Sequence, residues 1–145
     1  MFKRILVPLE HSATDAVILE YIKPLAGAVH ASLVLIHVAD GWVARNIQQL
    51  DLRESEEMRE DFGYLDRVCQ ELRRDGFDVE AVLAAGDPAR EIAAAADRER
   101  CDLIAMATHG HRLLADVVRG SVASELRHIT SVPVLMLRAK KEASR

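Results

Sequence analysis

The residues of this chain best equipped for chemistry lie in ATHGHRLLADVVRGSVAS (107–124), where nine residues separate Gly110 from Gly120 and Ser121 follows directly. Glycine has no Cβ, so its backbone can take positive φ or lie against a ligand. Ser121 opens VASELRHI, whose apolar residues at 122, 126 and 129 form one face of a helix. A glycine loop running into a helix start presents unpaired N–H groups and the positive end of a dipole, which suits a phosphate. His109, His111, Arg112 and Arg119 bracket the loop and could neutralise phosphate charge. The alternative on spacing alone is a turn and a helix start without a ligand.

Other reactive side chains carry weaker patterns. Glu10 ends the first aliphatic run, and a carboxylate beside phosphates is repulsive unless Mg²⁺ or Mn²⁺ bridges them or a ribose hydroxyl takes it. A solvated loop carboxylate is the equal alternative. Ser121 lacks a Gly-x-Ser-x-Gly context and a histidine base, so it reads as a helix cap that also donates to phosphate, not as a nucleophile. His109 and His111 lack a third ligand at metal spacing, which argues against zinc. His37 sits in an apolar run and reads as a hydrogen-bonded core residue, while His11 reads as a loop cap. Trp42, just past the second aliphatic run, reads as packing for a long connection, with the cover of an adenine as the alternative. Cys69 and Cys101 form no CxxC pair and occupy apolar positions, so buried free thiols in a reducing cytoplasm are expected.

The elements that position these residues alternate in kind. ILVPL (5–9), SLVLIHVA (32–39), DVEAVLAA (78–85), DLIAMAT (102–108) and VPVLMLR (132–138) read as strands. Four are almost continuously apolar, the mark of parallel strands covered on both faces. The third alternates, which puts it at an edge. Ser12 to Asp15 looks like a capping box opening a helix with apolar residues at 18, 22, 25 and 29, kinked near Lys23 by Pro24. A longer helix carries Met58, Phe62, Leu65, Cys69 and Leu72 and ends at Asp75-Gly76. Asp87-Pro88 starts a third, and Ser121 a fourth. Repeated β-α units imply an α/β fold, an open doubly wound parallel sheet with helices on both faces. Ligands of such sheets sit beyond the carboxyl ends of the strands where strand order reverses. Residues 41–51 form the one long irregular connection, at that same end.

Composition narrows the partners. The chain of 145 residues reads as one domain over 1–138 with a polar tail over 139–145. A net charge of 19 − 23 = −4 without a basic block disfavours nucleic acid. No stretch reaches the ~20 apolar residues of a membrane span, and the opening apolar run is too short for a signal peptide, so the expected location is cytoplasmic.

The opening ILVPLEHS, the second strand LVLIHV and the block ATHGHRLLADVVRGSVASELRHITSVPVLML resemble the universal stress protein family over nearly the whole chain. Its nucleotide-binding branch carries Gly-x2-Gly-x9-Gly-Ser/Thr, which here reads Ala107-x2-Gly110-x9-Gly120-Ser121. The resemblance implies strand order 3-2-1-4-5, a homodimer joined through strand 132–138, and ATP (or AMP or ADP), with possible Mg²⁺, in the crevice between strands 1 and 4. It brings Pro8, Leu9 and Glu10 to the ligand from the first strand and Val38 from the second. Met106, Ala107, His109 and Gly110 come from the fourth, followed by Arg112. Gly120, Ser121, Val122 and Ala123 complete the phosphate loop. Ala107 replaces the first family glycine, and Glu10 is one methylene longer than the usual aspartate. The implied function is an ATP-binding regulatory or sensing dimer with an unidentified protein partner. The rival is a nucleotide-independent dimeric interaction module. The lack of a Walker-type Gly-Lys-Ser/Thr and of an activated base leaves at most slow, incidental ATP hydrolysis.

A side chain at position 120 should occupy the phosphate space itself. Gly120→Val is expected to abolish the thermal shift given by Mg²⁺-ATP with little change in the unliganded melting temperature. Ala107→Gly, which restores backbone freedom, should keep or enlarge that shift.

Overall fold

A computed structural model describes residues 1–40, 52–109 and 122–139. The order is β1 (Arg4–Pro8), α1 (Thr14–Val29), β2 (Ser32–Asp40), α2 (Leu52–Arg74), β3 (Val79–Gly86), α3 (Pro88–Arg98), β4 (Leu103–His109), α4 (helical over 122–129) and β5 (Val134–Ala139). The five strands make one parallel sheet of order β3-β2-β1-β4-β5, with β3 at an edge as its alternation implies.

The strands are apolar at successive positions because both faces are covered. Ile5, Val7, Leu33, Leu35 and Leu103 face Ile18 and Ile22 of α1 and Leu65, Cys69 and Leu72 of α2. Leu6, Val34, Ile36 and Ile104 face the other way, against Ile92, Ala95 and Ala96 of α3 and Leu126 of α4. Each Ile, Leu or Val among them contributes about 1.5–3 kcal/mol by leaving water, so these two layers carry the fold.

The helix ends follow local chemistry. The Asp87 carboxylate caps α3 by accepting from Arg90 N at 3.2 Å, with Pro88 in the first turn. Gly76, at φ +97°, closes α2 as the sequence predicts, and Phe77 N donates to Leu72 O at 3.0 Å. α1 continues past Pro24 to Val29. The capping box before it is only half made. Asp15 reaches back to Ser12 N at 3.3 Å, but the Ser12 hydroxyl pairs with the Thr14 hydroxyl at 2.7 Å, and Ala13 holds the cap position. β5 begins at Val134, not Val132. Pro133 has no N–H for the ladder, although its carbonyl accepts from Ile104 N at 2.9 Å.

The amino ends of the strands are fastened together. Asp102 accepts from Lys3 N at 2.9 Å and Arg4 N at 3.1 Å, while Asp102 N donates to Arg4 O at 2.9 Å. The Arg4 guanidinium reaches Glu80 on β3 at 3.3 Å, Glu99 at 3.2 Å and Ser32 Oγ on β2 at 3.2 Å. Burial alone would push the Asp102 carboxyl up, but the Lys3 and Arg4 N–H groups outweigh it and hold the carboxyl below the usual range. A depressed folded value adds stability that is present above the unfolded pKa of about 3.9 and is lost as pH falls through the folded one. Asp102→Asn should therefore lower the melting temperature at neutral pH. It should also flatten the loss of stability on acidification, as followed by melting temperature against pH.

Candidate functional site

The site begins where two hydrogen-bonded central strands separate. β1 follows β2 from Arg4 opposite Ser32 to Pro8 opposite Ile36. Its pairing with β4 covers only Ile5 opposite Leu103 and Leu6 opposite Ile104, whereas β4 stays on β5 as far as His109 opposite Ala139. Beyond Leu6 and Ile104 the sheet thus opens into a cleft at the reversal of strand order, at the carboxyl ends of the strands. Pro8, Val38, Met106 and Ala107 are partly exposed there although they belong to interior strands. Val38 and Met106 lie on the α3–α4 side of the sheet together with Val122, and Ala123 is partly buried beside it. Ala107 lies on the α1–α2 side.

The connection from β1 to α1 is built from side chains that accept backbone hydrogens. Leu9 is only 3% exposed. Its N–H donates to Ile36 O at 2.8 Å and its carbonyl accepts from His37 Nδ1 at 2.9 Å, so Leu9 shapes the cleft from beneath. Glu10 follows with an exposed side chain, its N–H held by Asp15 Oδ1 at 2.9 Å. His11 takes φ +63° and stacks on Tyr64, ring centres 4.1 Å apart. Its Nδ1 lies 2.8 Å from Asp61 Oδ1, and His37 Nε2 lies 3.3 Å from Asp61 Oδ2. His37 is therefore the hydrogen-bonded residue the sequence suggests, and His11 does more than cap a loop. The Tyr64 hydroxyl, pushed well above its ordinary pKa by burial and then by its hydrogen bond to Asp15, remains a donor.

The apolar residues of α2 give no sign of Asp61 and Tyr64. Phe62, expected on the inner face, is 52% exposed. The inward stripe is Asp61, Tyr64, Leu65, Val68, Cys69 and Leu72, an equally regular 3-4 pattern once its two polar members are counted. Among the described residues no group of three His, Cys, Asp or Glu side chains is arranged to hold a metal ion. Cys69 and Cys101 are free and buried, and burial pushes the Cys101 thiol up to about 11. His109 ends β4. Trp42, Gly110, His111, Arg112, Arg119, Gly120 and Ser121 lie outside the described residues.

Fold and cleft together define an open doubly wound α/β protein whose central strands part at the switch point of the sheet. The chain belongs to the universal stress protein family, whose model matches residues 1–138. It is 26% identical to universal stress protein MJ0577 of Methanocaldococcus jannaschii over 160 aligned residues, 97% of each chain. The solved structure of MJ0577 covers 98% of this chain and 99% of its own at TM-score 0.84 and 27% identity. Universal stress protein YxiE of Bacillus subtilis is 26% identical, with 95% of this chain and all of that protein covered. A universal stress protein from Archaeoglobus fulgidus, solved in complex with dAMP, shares the fold at TM-score 0.66 and 18% identity over 92% of this chain and 96% of its own.

Asp61 ties α2 to both the β1–α1 connection and β2. Asp61→Ala should cost about 1–2 kcal/mol, a fall of roughly 3–8 °C in melting temperature. Phe62→Ala, one residue away on the outer face, should change it little.

Proposed function

We propose that this chain is a regulatory protein that binds an adenine nucleotide, ATP above all, in the cleft between β1 and β4. The observation that carries this reading is the parting of those strands beyond Leu6 and Ile104 at the switch point of the sheet. The dAMP complex of the Archaeoglobus protein, which shares the fold, supports an adenine nucleotide as the ligand class. Val38 and Met106 offer apolar surface to the base, with Pro8 and Ala107 beside them. The N–H groups of Gly110, Gly120 and Ser121, with Val122 and Ala123 at the helix start, receive the phosphates. His109 and Arg112 offset their charge. Leu9 acts through the shape of the cleft floor.

Glu10 alone cannot hold a metal, and no three-ligand set stands among the described residues. Mg²⁺ would therefore arrive on the phosphate oxygens, with Glu10 acting through its water shell. Catalysis is not the role, beyond slow incidental hydrolysis. Nucleotide acts by linkage instead. It stabilises the state that binds it and orders residues 41–51 for a protein partner in the cytoplasm. β5, an edge strand with Leu135 and Leu137 packed on one layer and Val134 on the other, pairs with its twofold mate in a homodimer.

Protein purified without added nucleotide and then denatured should release an adenine nucleotide. Mg²⁺-ATP at ~100 times its dissociation constant should stabilise the fold by about 2.7 kcal/mol. No release, together with no melting shift in millimolar ATP, ADP or AMP, would overturn the nucleotide reading and leave the dimeric interaction module. Released ADP with time-dependent phosphate would instead establish an enzyme.

A further inference from the structure

Asp15 is a carboxylate buried to 3% exposure at the start of α1, at the ligand end of the sheet. It is surrounded by donors. Glu10 N–H reaches Oδ1 at 2.9 Å, while His11 N–H at 2.8 Å, Ser12 N–H at 3.3 Å and the Tyr64 hydroxyl at 2.6 Å reach Oδ2. Three successive backbone N–H groups turned onto one anion form a nest, the concavity that holds phosphate in many proteins. The left-handed φ of +63° at His11 lies in the middle of it. Two further features draw an anion to this spot. It follows the carboxyl end of β1, next to the switch point, and it faces the positive end of the α1 dipole. In a doubly wound sheet such a place commonly receives a ligand's phosphate, and here the chain supplies the anion itself.

We propose that Asp15 is an internal anion filling the phosphate position at the end of β1, and that as a positioning residue it confines a bound nucleotide's phosphates to the β4 side of the cleft. The first clause stands on geometry, and the second rests on the nucleotide reading above. With the nest filled, Glu10, His11 and Ser12 have their N–H groups committed before any ligand arrives. The buried negative charge also repels a second anion from the same place. Tyr64 makes the arrangement depend on α2, because its hydroxyl shares Oδ2 with His11 and Ser12.

The test removes the internal anion and offers a free one, formate. Asp15→Ala should melt below the wild type and regain part of the loss in sodium formate relative to sodium chloride of equal ionic strength. The wild type should show no such difference. Equal melting of the variant in the two salts would overturn the filled nest. In calorimetric titrations in chloride the variant should bind ATP about tenfold more weakly than the wild type, through lost preorganisation, and formate should restore the affinity. ATP binding to the variant at wild-type strength in chloride would overturn the positioning role. A wild type that binds no adenine nucleotide would overturn the nucleotide reading and the second clause, while the formate response still decides the first. If Asp15→Ala does not fold, Asp15→Asn keeps the shape but sets an amide donor against a backbone N–H. It should melt below the wild type without a formate response, and wild-type melting of Asp15→Asn would overturn the proposal.

Discussion

β1 is hydrogen-bonded on both sides, but along different lengths. β2 accompanies it to Pro8, whereas β4 leaves it after Leu6. Buried backbone groups must find partners, so an interior strand that loses a neighbour midway needs another way to satisfy or spare its N–H and C=O groups. Three devices meet that need here. Pro8 has no N–H to strand. Leu9 turns its N–H to Ile36 O and its carbonyl to His37. Glu10, His11 and Ser12 give their N–H groups to Asp15. The cleft, its floor and the entry into α1 all follow from that parting.

The parting is directional because the other end of the sheet is clamped. Arg4 and Asp102 bind the starts of four strands with charged hydrogen bonds, while β1 and β4 part toward their carboxyl ends, at the reversal of strand order. The polar groups divide accordingly. At the amino end they hold strands together. At the carboxyl end they line a loop, and their stabilising partners come from α2, an element distant in sequence. Since one carboxylate, Asp61, faces both His11 and His37, displacement of α2 would disturb the β1–α1 connection and β2 together.

The apolar layers are well tolerant of such a site. Ile5, Leu6, Leu33, Val34 and Ile104 are fully buried in the clamped half of the sheet, and Val7, Leu35, Ile36 and Ala105 stay fully buried beyond it. The partly exposed Val38, Met106 and Ala107 come after them along their strands.

Strand and helix types, their alternation and the edge position of β3 were legible in the sequence, because a parallel strand covered on both faces must be apolar at successive positions. Asp87-Pro88 and Gly76 marked helix ends by local chemistry that needs no distant partner. The family-like order of the strands located the crevice, but pattern alone did not say how far β1 would stay with β4. That length is a property of two strands nearly a hundred residues apart, which no single segment encodes. Nor did pattern show that Phe62 faces outward while Asp61 and Tyr64 face inward. An apolar count turns the helix toward its largest hydrophobes, whereas the folded chain turned it toward donors and acceptors already waiting on Asp15, His11 and His37. Periodicity records what each segment prefers to hide. Only the tertiary structure decided which polar groups, 28 to 50 residues apart, would meet, because a polar group drawn even partly out of water needs a partner that another segment must supply.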